Sequence, residues 1–163
     1  MVNVRQARIT DVPQIVGLAE GYEDKLMPYI YQDWTVVKYF DAFWVTPDEG
    51  PIKGAVHCCY PGNDRDAEFL HDVKCVPLSI VKRFQSVESK DIFLSHIICP
   101  GKGTFGQIVR HLKTISDSLY CYLSINSPAF ESYIRHGFEF KYTEIIWNPY
   151  KKDYSEFSLG IWR

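Results

Sequence analysis

Three glycines lie within one short stretch, Gly101-Lys102-Gly103-Thr104-Phe105-Gly106, which has the spacing GxGxxG. The apolar, β-prone run from Ile92 to Ile98 precedes it, and apolar residues at three- and four-residue spacing follow it. This pattern predicts a strand, a tight turn and an amphipathic helix. The first N–H groups of a helix have no intrahelical partner and carry partial positive charge, and glycine lets an anion approach them. The stretch, here named the glycine turn, therefore indicates a site for a phosphate-bearing cofactor.

The same spacing occurs in dinucleotide-binding domains, but the context here differs. In those domains the motif follows the first strand, and an acid about 20 residues later holds the ribose. In this chain only 57 residues follow Gly106, and the residue 20 positions later is Asn126. Both facts argue against a nicotinamide or flavin site. A turn without a ligand is the simpler alternative, but three glycines weaken a helix start unless a ligand uses the exposed backbone.

A second group of residues follows the strand-like run Tyr120 to Ile125 and has helical spacing: Asn126, Ala129, Tyr133, Gly137 and Phe138. Ala129 and Tyr133 are four residues apart, so they share a face of the predicted helix. Gly137 has the position of a helix-terminating glycine. Taken alone, the group is typical of a capped helix with a half-buried tyrosine.

Histidines and cysteines between positions 57 and 75 offer possible metal ligands: His57, Cys58, Cys59, His71 and Cys75. Their spacing matches no known zinc pattern, and adjacent strand residues such as Cys58 and Cys59 point to opposite faces. We therefore predict no metal site. The five cysteines of the chain are odd in number and include no CxxC pair, which favours buried, reduced thiols in a cytoplasmic protein.

The composition favours one globular domain over residues 1–163. Hydrophobic residues make up 46% of the chain and aromatic residues 15%. The net charge of -2 gives no electrostatic argument for nucleic acid or an anionic membrane as a partner. No apolar run approaches the roughly 20 residues that cross a bilayer, and the N-terminal MVNVRQARIT lacks the apolar core of a signal peptide.

The first half of the chain predicts a strand, two helices and a hairpin. Val2 to Arg8 alternates as a strand does, and Thr10 is a suitable N-cap for the helix that follows. A second helix is predicted over Trp34 to Phe43. The runs AFWVT and IKGAVHCCY flank the turn-forming 47–50, which indicates a β-hairpin.

The remaining elements lie on both sides of the central strand–turn–helix unit. Before it, Phe69 to Val76 is interpreted as a strand and Leu78 to Phe84 as a short helix. After it, FKYTEIIWN and SEFSLGIWR form a second hairpin that ends the chain. The apolar side chains of this hairpin predict that it is integral to the fold. Antiparallel hairpins around a central βαβ unit predict a mixed sheet rather than a doubly wound one.

Two segments of the chain resemble the GNAT superfamily of N-acetyltransferases most strongly, CPGKGTFGQIVRHL and NSPAFESYIRHGFEF. The resemblance extends to VRQARITDVPQIVGLAE and to the FWVTPDEGPIKGAVHCC hairpin, and so covers nearly the whole chain. It implies an α/β (α+β) fold with a mixed, mostly antiparallel sheet flanked by helices. It also implies central strands that splay apart and a C-terminal β-hairpin.

In this family the glycine turn binds the pyrophosphate of acetyl-CoA, and the pantetheine lies between the two splayed strands. The resemblance therefore assigns cofactor binding to residues before, within and after the turn: Ile97, Ile98, Gly101, Lys102, Gly103, Thr104, Phe105, Gly106 and Asn126. It implies that Tyr133 is the general acid that protonates the departing CoA thiolate.

Attack on a thioester needs a neutral amine, so a base or a water chain must take a proton from the ammonium. Two candidates are Asp91, at the start of the central strand, and His96, within it. Each also has a structural interpretation, Asp91 as a turn residue at the strand end and His96 as a satisfied histidine of the sheet.

We therefore expect an N-acetyltransferase that transfers acetyl from acetyl-CoA to a primary amine by direct attack, without an acyl-enzyme. The amine belongs to a small molecule or to a protein. The alternative is a non-catalytic module of the same fold that binds CoA or a protein partner. A third interpretation keeps the fold and uses another acyl-CoA.

Overall fold

A computed structural model of the chain describes residues 3–20, 33–60, 63–73, 76–84, 90–148 and 152–163. Val2 and Cys75, named above, lie outside the described residues. Within the described residues, seven strands form one sheet in the order β1-β2-β3-β4-β5-β7-β6. The strands are β1 Arg5–Gln6, β2 Phe43–Thr46, β3 Gly54–Cys59, β4 Ile92–Ile98, β5 Leu119–Ser124, β6 Glu139–Asn148 and β7 Asp153–Trp162.

Every pair of neighbouring strands is antiparallel except β4 and β5, which run parallel. The prediction of a mixed, mostly antiparallel sheet is therefore confirmed. The helices are α1 Val12–Ala19, α2 Asp33–Tyr39, α3 Asp64–Glu68, α4 Leu78–Phe84, α5 Thr104–Ile115 and α6 Phe130–Arg135. No helix in the described ranges has the length and apolar character needed to cross a membrane.

The sheet carries a separate part of the core on each face, because successive strand residues point in opposite directions. Ile92 and Leu94 of β4 pack with Ile108 and Leu112 of α5 and with Tyr133 of α6. We call this the α5 face. The other face, the α2 face, holds Phe93 with buried residues of α2, α3, α4 and the turn after α3: Tyr39, Ala67, Phe69, Leu70, Ile80 and Val81.

Three predicted elements agree closely with the structure. β4 has the predicted bounds and is buried almost throughout, and α4 also has the predicted bounds. The first hairpin forms between β2 and β3. The C-terminal hairpin is also confirmed, with β7 inserted between β5 and β6. However, Ile145 and Trp147 of this hairpin are exposed.

Two predictions about local structure are wrong. Phe69–Val73, the first part of the strand predicted over Phe69 to Val76, is not a strand, because α3 continues there into a π-helical turn that buries both Phe69 and Leu70. Thr10 is not the N-cap of α1, which begins at Val12 after a 3-10 turn. Asp11 fixes this corner instead, since its carboxylate accepts from the Arg8 N–H at 2.7 Å and from Arg5 Nη1 at 2.6 Å.

The boundaries of two strands also differ from the prediction. β1 comprises only Arg5 and Gln6, within the longer predicted run. β5 begins one residue earlier than predicted, at Leu119, and ends at Ser124.

Candidate active site

The parallel strands β4 and β5 pair at only three positions, Ile92 with Leu119, Phe93 with Tyr120 and Leu94 with Cys121. Beyond these positions β4 continues to Ile98 beside β3, and β5 continues to Ser124 beside β7. The two central strands therefore separate after Leu94 and Cys121, as the resemblance implied. We call the opening between them the β4–β5 gap.

A β-bulge in β4 lies where the gap begins. On β3, His57 pairs with His96 and Cys58 pairs with Leu94, so Ser95 is the additional residue. A bulge bends its strand and increases the local twist. The bulge therefore accounts for the departure of β4 from β5. It also brings the side chains of both Ser95 and His96 towards His57, on the α2 face.

The backbone beside the gap includes Ile97 and Ile98. Ile97 packs with the α5 face, whereas Ile98 packs on the opposite face with residues of α1 and α2. Their peptide groups pair with β3 on one side. The chain then runs from the end of β4 into the glycine turn.

The first turn of α5 lacks a conventional cap. Its N-cap is Gly103, which has no side chain and adopts a left-handed φ of 80°. The Thr104 hydroxyl donates to the Gly101 carbonyl at 2.6 Å, so it stabilises the turn itself. The first intrahelical bond runs from the Gln107 N–H to the Gly103 carbonyl. Among the described residues, the N–H groups of Phe105 and Gly106 have no hydrogen-bond partner, which suits an anion.

The three glycines of the turn meet different constraints. A Cβ at Gly101 would lie 3.2 Å from the Lys53 carbonyl, and one at Gly106 would lie 3.1 Å from His136 Cε1. At Gly103 nothing lies within 4 Å of such an atom, so only the left-handed backbone requires glycine there. Gly101 and Gly106 therefore permit close packing, and the open side of the turn is at Gly103.

Basic side chains surround the start of α5. Lys102 is exposed within the turn, and Arg110 Nη1 would lie 3.2 Å from a Cβ at Gly106. The pKa of His136 is lowered by burial and then by the charges of Lys113, Arg110 and Arg135. This surplus of positive charge, together with the helix dipole, favours a phosphate group here. The turn and these charges therefore form a candidate phosphate site beside the β4–β5 gap.

Tyr133 lies on the α5 face, in the same buried cluster as Leu94 and Cys121. Helix α6 ends just after it, at Arg135, and Gly137 follows with a left-handed φ of 85°. The Phe138 N–H donates to the Tyr133 carbonyl and the Gly137 N–H to the Ile134 carbonyl, which is a Schellman motif. The Tyr133 ring consequently lies 4.9 Å from the Phe138 ring and 5.3 Å from the Phe105 ring.

The other predicted site residues are divided between two ends of the sheet. His96 lies beyond the start of the gap, and Asn126 is exposed in the turn after β5, with its N–H bonded to Ser124 Oγ. Asp91 precedes β4 at the end where the strands are paired. At about 3.3 Å per residue, Asp91 is roughly 16 Å along the strand from His96. The fold does not bring Asp91 to the gap.

Sequence reasoning missed two polar residues at the gap, Ser95 and His57. The sequence analysis considered His57 only as a possible metal ligand and assigned no role to Ser95. The one signal in the sequence was the pair of polar residues, Ser95 and His96, inside a strand that is otherwise apolar. The partnership with His57 depends on the register between β3 and β4, which one sequence does not reveal.

The described cysteines are free thiols: Cys58, Cys59, Cys99 and Cys121. Burial raises the pKa of Cys99, which immediately follows β4, to about 12, and burial also raises the pKa of Cys59. Neither thiol is therefore suited to act as a thiolate nucleophile near neutral pH. Within the described ranges, no group of three His, Cys, Asp or Glu side chains is arranged to hold a metal ion.

No family model matches this sequence, and no curated protein is significantly similar to it. Solved structures with the same arrangement exist. An N-acetyltransferase from Staphylococcus aureus Mu50 is 15% identical, with a TM-score of 0.63 over 97% of this chain and 98% of that one. A protein of Salmonella typhimurium, solved with its cofactor acetyl-CoA, is 9% identical, with a TM-score of 0.62 over 98% and 92%.

A third structure with this fold is a GNAT-like decarboxylase in complex with isobutyryl-CoA. It is 12% identical, with a TM-score of 0.63 over 96% of this chain and 97% of that chain. The three structures therefore share an architecture, although one is named an N-acetyltransferase and another a decarboxylase. This chain has a sheet of seven described strands, separated central strands and a helix that follows the glycine turn. Its structure is similar to these structures over nearly the whole chain, and the chain therefore has the GNAT fold.

Proposed function

We propose that this protein transfers an acetyl group from acetyl-CoA to a primary amine by direct attack. The observation that carries the proposal is the uncapped start of α5, with its open side at Gly103, directly after the strand that borders the β4–β5 gap. This arrangement combines an anion site with a slot between strands. An acyl-CoA has the matching chemistry, a pyrophosphate joined to a long amide-bearing arm.

The residues that would hold the cofactor follow from their positions. The N–H groups of Phe105 and Gly106 and the charges of Lys102 and Arg110 would bind the phosphates. The backbone of Ile97 and Ile98 would pair with the amides of the pantetheine arm, and Asn126 would contact the arm from the end of β5. When bound, acetyl-CoA supplies an activated acyl group on a sulfur that leaves as a thiolate.

Two side chains on opposite faces of the sheet would handle the protons. Tyr133 lies on the α5 face and would donate its phenolic proton to the departing sulfur. His96 lies on the α2 face and would take a proton from the acceptor ammonium, which leaves the nitrogen lone pair free to attack. The proposal gives Asp91 no catalytic role because it lies at the paired end of β4.

Direct attack is favoured over a covalent acyl-enzyme for a specific reason. Cys99 is the thiol that lies between β4 and the glycine turn, and burial raises its pKa to about 12. A protonated thiol is a weak nucleophile, so the acceptor amine itself would attack the acyl carbon.

A screen of amine acceptors with acetyl-CoA tests the proposal, with release of free thiol as the readout. Agmatine and a peptide that begins with alanine belong in the panel, because the names of two other proteins of this fold give these acceptors. Phenethylamine and free lysine extend it to aromatic and zwitterionic amines. The proposal expects amine-dependent thiol release with at least one acceptor. CoA binding without turnover on any amine would support the alternative, a non-catalytic CoA-binding module.

A further inference from the structure

A cluster of four polar side chains is buried on the α2 face: His57 and Cys59 of β3, and Ser95 and His96 of β4. The exposed fractions of His57, Ser95 and His96 are 1%, 4% and 6%. The Ser95 hydroxyl makes a short hydrogen bond with His57 Nδ1 and lies 3.4 Å from His96 Nδ1. Since a hydroxyl has one proton and two lone pairs, Ser95 can bond to both imidazole rings at once.

The bulge in β4 creates this contact. In a regular strand Ser95 and His96 would point to opposite faces, but the additional residue at Ser95 places both side chains on the same face. The His57 carbonyl, 3.1 Å from the Ser95 hydroxyl, is a second acceptor for its one proton and competes with His57 Nδ1. The cluster therefore lies where β4 leaves β5, on the opposite face of the sheet from Tyr133.

The two imidazole rings differ in their surroundings. The His57 ring is enclosed by aromatic rings, with centroids 4.5 Å away at Phe69, 4.8 Å at Phe43 and 6.0 Å at Tyr39. His96 follows the bulge and is somewhat more exposed. His96 lies on β4, which borders the gap, and His57 lies on the next strand, β3, so His96 is the ring nearer the gap.

The titratable groups around the two rings come from three elements. Tyr39 of α2 contacts the His57 ring, and Cys59 of β3 places its sulfur 3.7 Å from His57 Nδ1. From α3, the charge of Asp66 raises the pKa of Cys59, after the larger effect of burial. The Asp66 carboxylate itself accepts from the Tyr60 N–H at 2.8 Å and from Arg65 Nε at 3.2 Å.

We propose that Ser95 couples His57 and His96 into one proton-accepting unit, in which His96 takes the proton that the acceptor ammonium loses and His57 positions it. The inference rests on the proposed function. In this step one N–H bond of the ammonium breaks, its electron pair stays on the amine nitrogen, and a new N–H bond forms on the His96 ring. The proton later leaves to solvent.

The chain of hydrogen bonds explains how His57 contributes. Protonated His96 donates through Nδ1 to Ser95 Oγ, and the Ser95 hydroxyl then donates to the lone pair of His57 Nδ1. Each bond polarises the next, so the chain stabilises the charged form of His96. His57 is a positioning residue and needs no contact with the substrate.

NMR titration of isotope-labelled histidines tests the coupling without any substrate. The samples are the parent protein, Ser95→Ala, His57→Gln and the control Cys58→Ala, whose residue is buried beside His57 but points to the other face. In Ser95→Ala and His57→Gln the titration midpoint of His96 should fall by about half a pH unit or more, because the hydrogen-bond chain no longer stabilises its charged form. In Cys58→Ala it should not move.

Kinetics with an acceptor from the panel above give the second readout. In Ser95→Ala and His57→Gln, kcat should fall by at least about tenfold, and the affinity for acetyl-CoA should change little. The acid limb of the pH profile of kcat should move to lower pH. In His57→Gln the Ser95 hydroxyl can still donate to the residue 57 carbonyl, so this variant serves if Ser95→Ala fails to fold. Folded variants with unchanged midpoints and unchanged kcat would overturn the inference. If the parent acetylates no amine, the proposed function fails, and the NMR titration alone decides whether Ser95 couples the rings.

Discussion

The rings of Phe105 and Tyr133 meet edge to face, with their centroids 5.3 Å apart. Phe105 belongs to the first turn of α5, whose free N–H groups form the candidate phosphate site, and Tyr133 belongs to α6. The contact joins the anion site to the candidate general acid through one pair of packed side chains. A structural change at the glycine turn would therefore also reach Tyr133.

Replacing Tyr133 by phenylalanine should lower kcat by at least about tenfold, because the ring packing remains and only the proton donor is lost. The affinity for CoA should change little, as expected for an interaction made mainly in the transition state. Steady-state kinetics and a CoA titration measure both quantities. Tyr120→Phe is the matched control, since Tyr120 is a buried tyrosine in the paired part of β5. Equal turnover by Tyr133→Phe and the parent would show that Tyr133 is structural.

Replacing Gly103 by valine should abolish CoA binding and leave the apo fold intact. The new side chain would occupy the open side of the turn, where the phosphates are expected, and its left-handed backbone would cost about 1–2 kcal/mol. Gly50→Val is the matched control, because Gly50 has a φ of 78°, also has nothing within 4 Å of an added Cβ, and lies outside the site. Thermal melts with and without CoA compare the two. Retained CoA stabilisation in Gly103→Val would refute a phosphate site there.

The sequence predicted the parts of this fold whose signals are local. The bounds of β4 and α4 follow from apolar patterning, and the glycine turn was recognised from residue types alone. Phe69 and Leu70 were misassigned because a short apolar run has no distinguishing periodicity, and α3 continues through it. The polar pair Ser95 and His96 was a local signal, but it does not identify a bulge, because the bulge at Ser95 depends on the pairing with β3.

Stability should fall as the pH decreases from about 7 towards 5, in part because of His136. Burial and neighbouring cations lower the pKa of His136 in the folded state, so near and below the ordinary histidine value of about 6.5 the unfolded chain binds more protons. Urea unfolding at several pH values measures the slope. His136→Gln should make the dependence of unfolding free energy on pH less steep. Some dependence should remain, because burial also lowers the pKa of His111. An unchanged slope in His136→Gln would contradict this assignment.

Deleting residues 150–163 should give insoluble or molten protein. The deletion removes β7, which is paired with both β5 and β6. It therefore exposes the edge of β5 and the buried side chains that pack around Leu159. Calorimetry and near-ultraviolet circular dichroism monitor the loss of cooperative melting. Tyr154→Phe provides the contrast, because Tyr154 is 67% exposed, its ring contact with Trp147 remains, and stability should change by no more than about 0.5 kcal/mol. A truncated protein that melts cooperatively near the parent temperature would contradict the expectation.

The measurement that tests the central claim most directly is the thermal stability of the protein with CoA compared with NAD. A ligand at about 100 times its dissociation constant stabilises the folded state by roughly 2.7 kcal/mol, which is a rise of several degrees in Tm for a domain of this size. We predict this rise with CoA and acetyl-CoA and no comparable rise with NAD. A rise with NAD and none with CoA would contradict the assignment of the glycine turn and the β4–β5 gap to a CoA thioester.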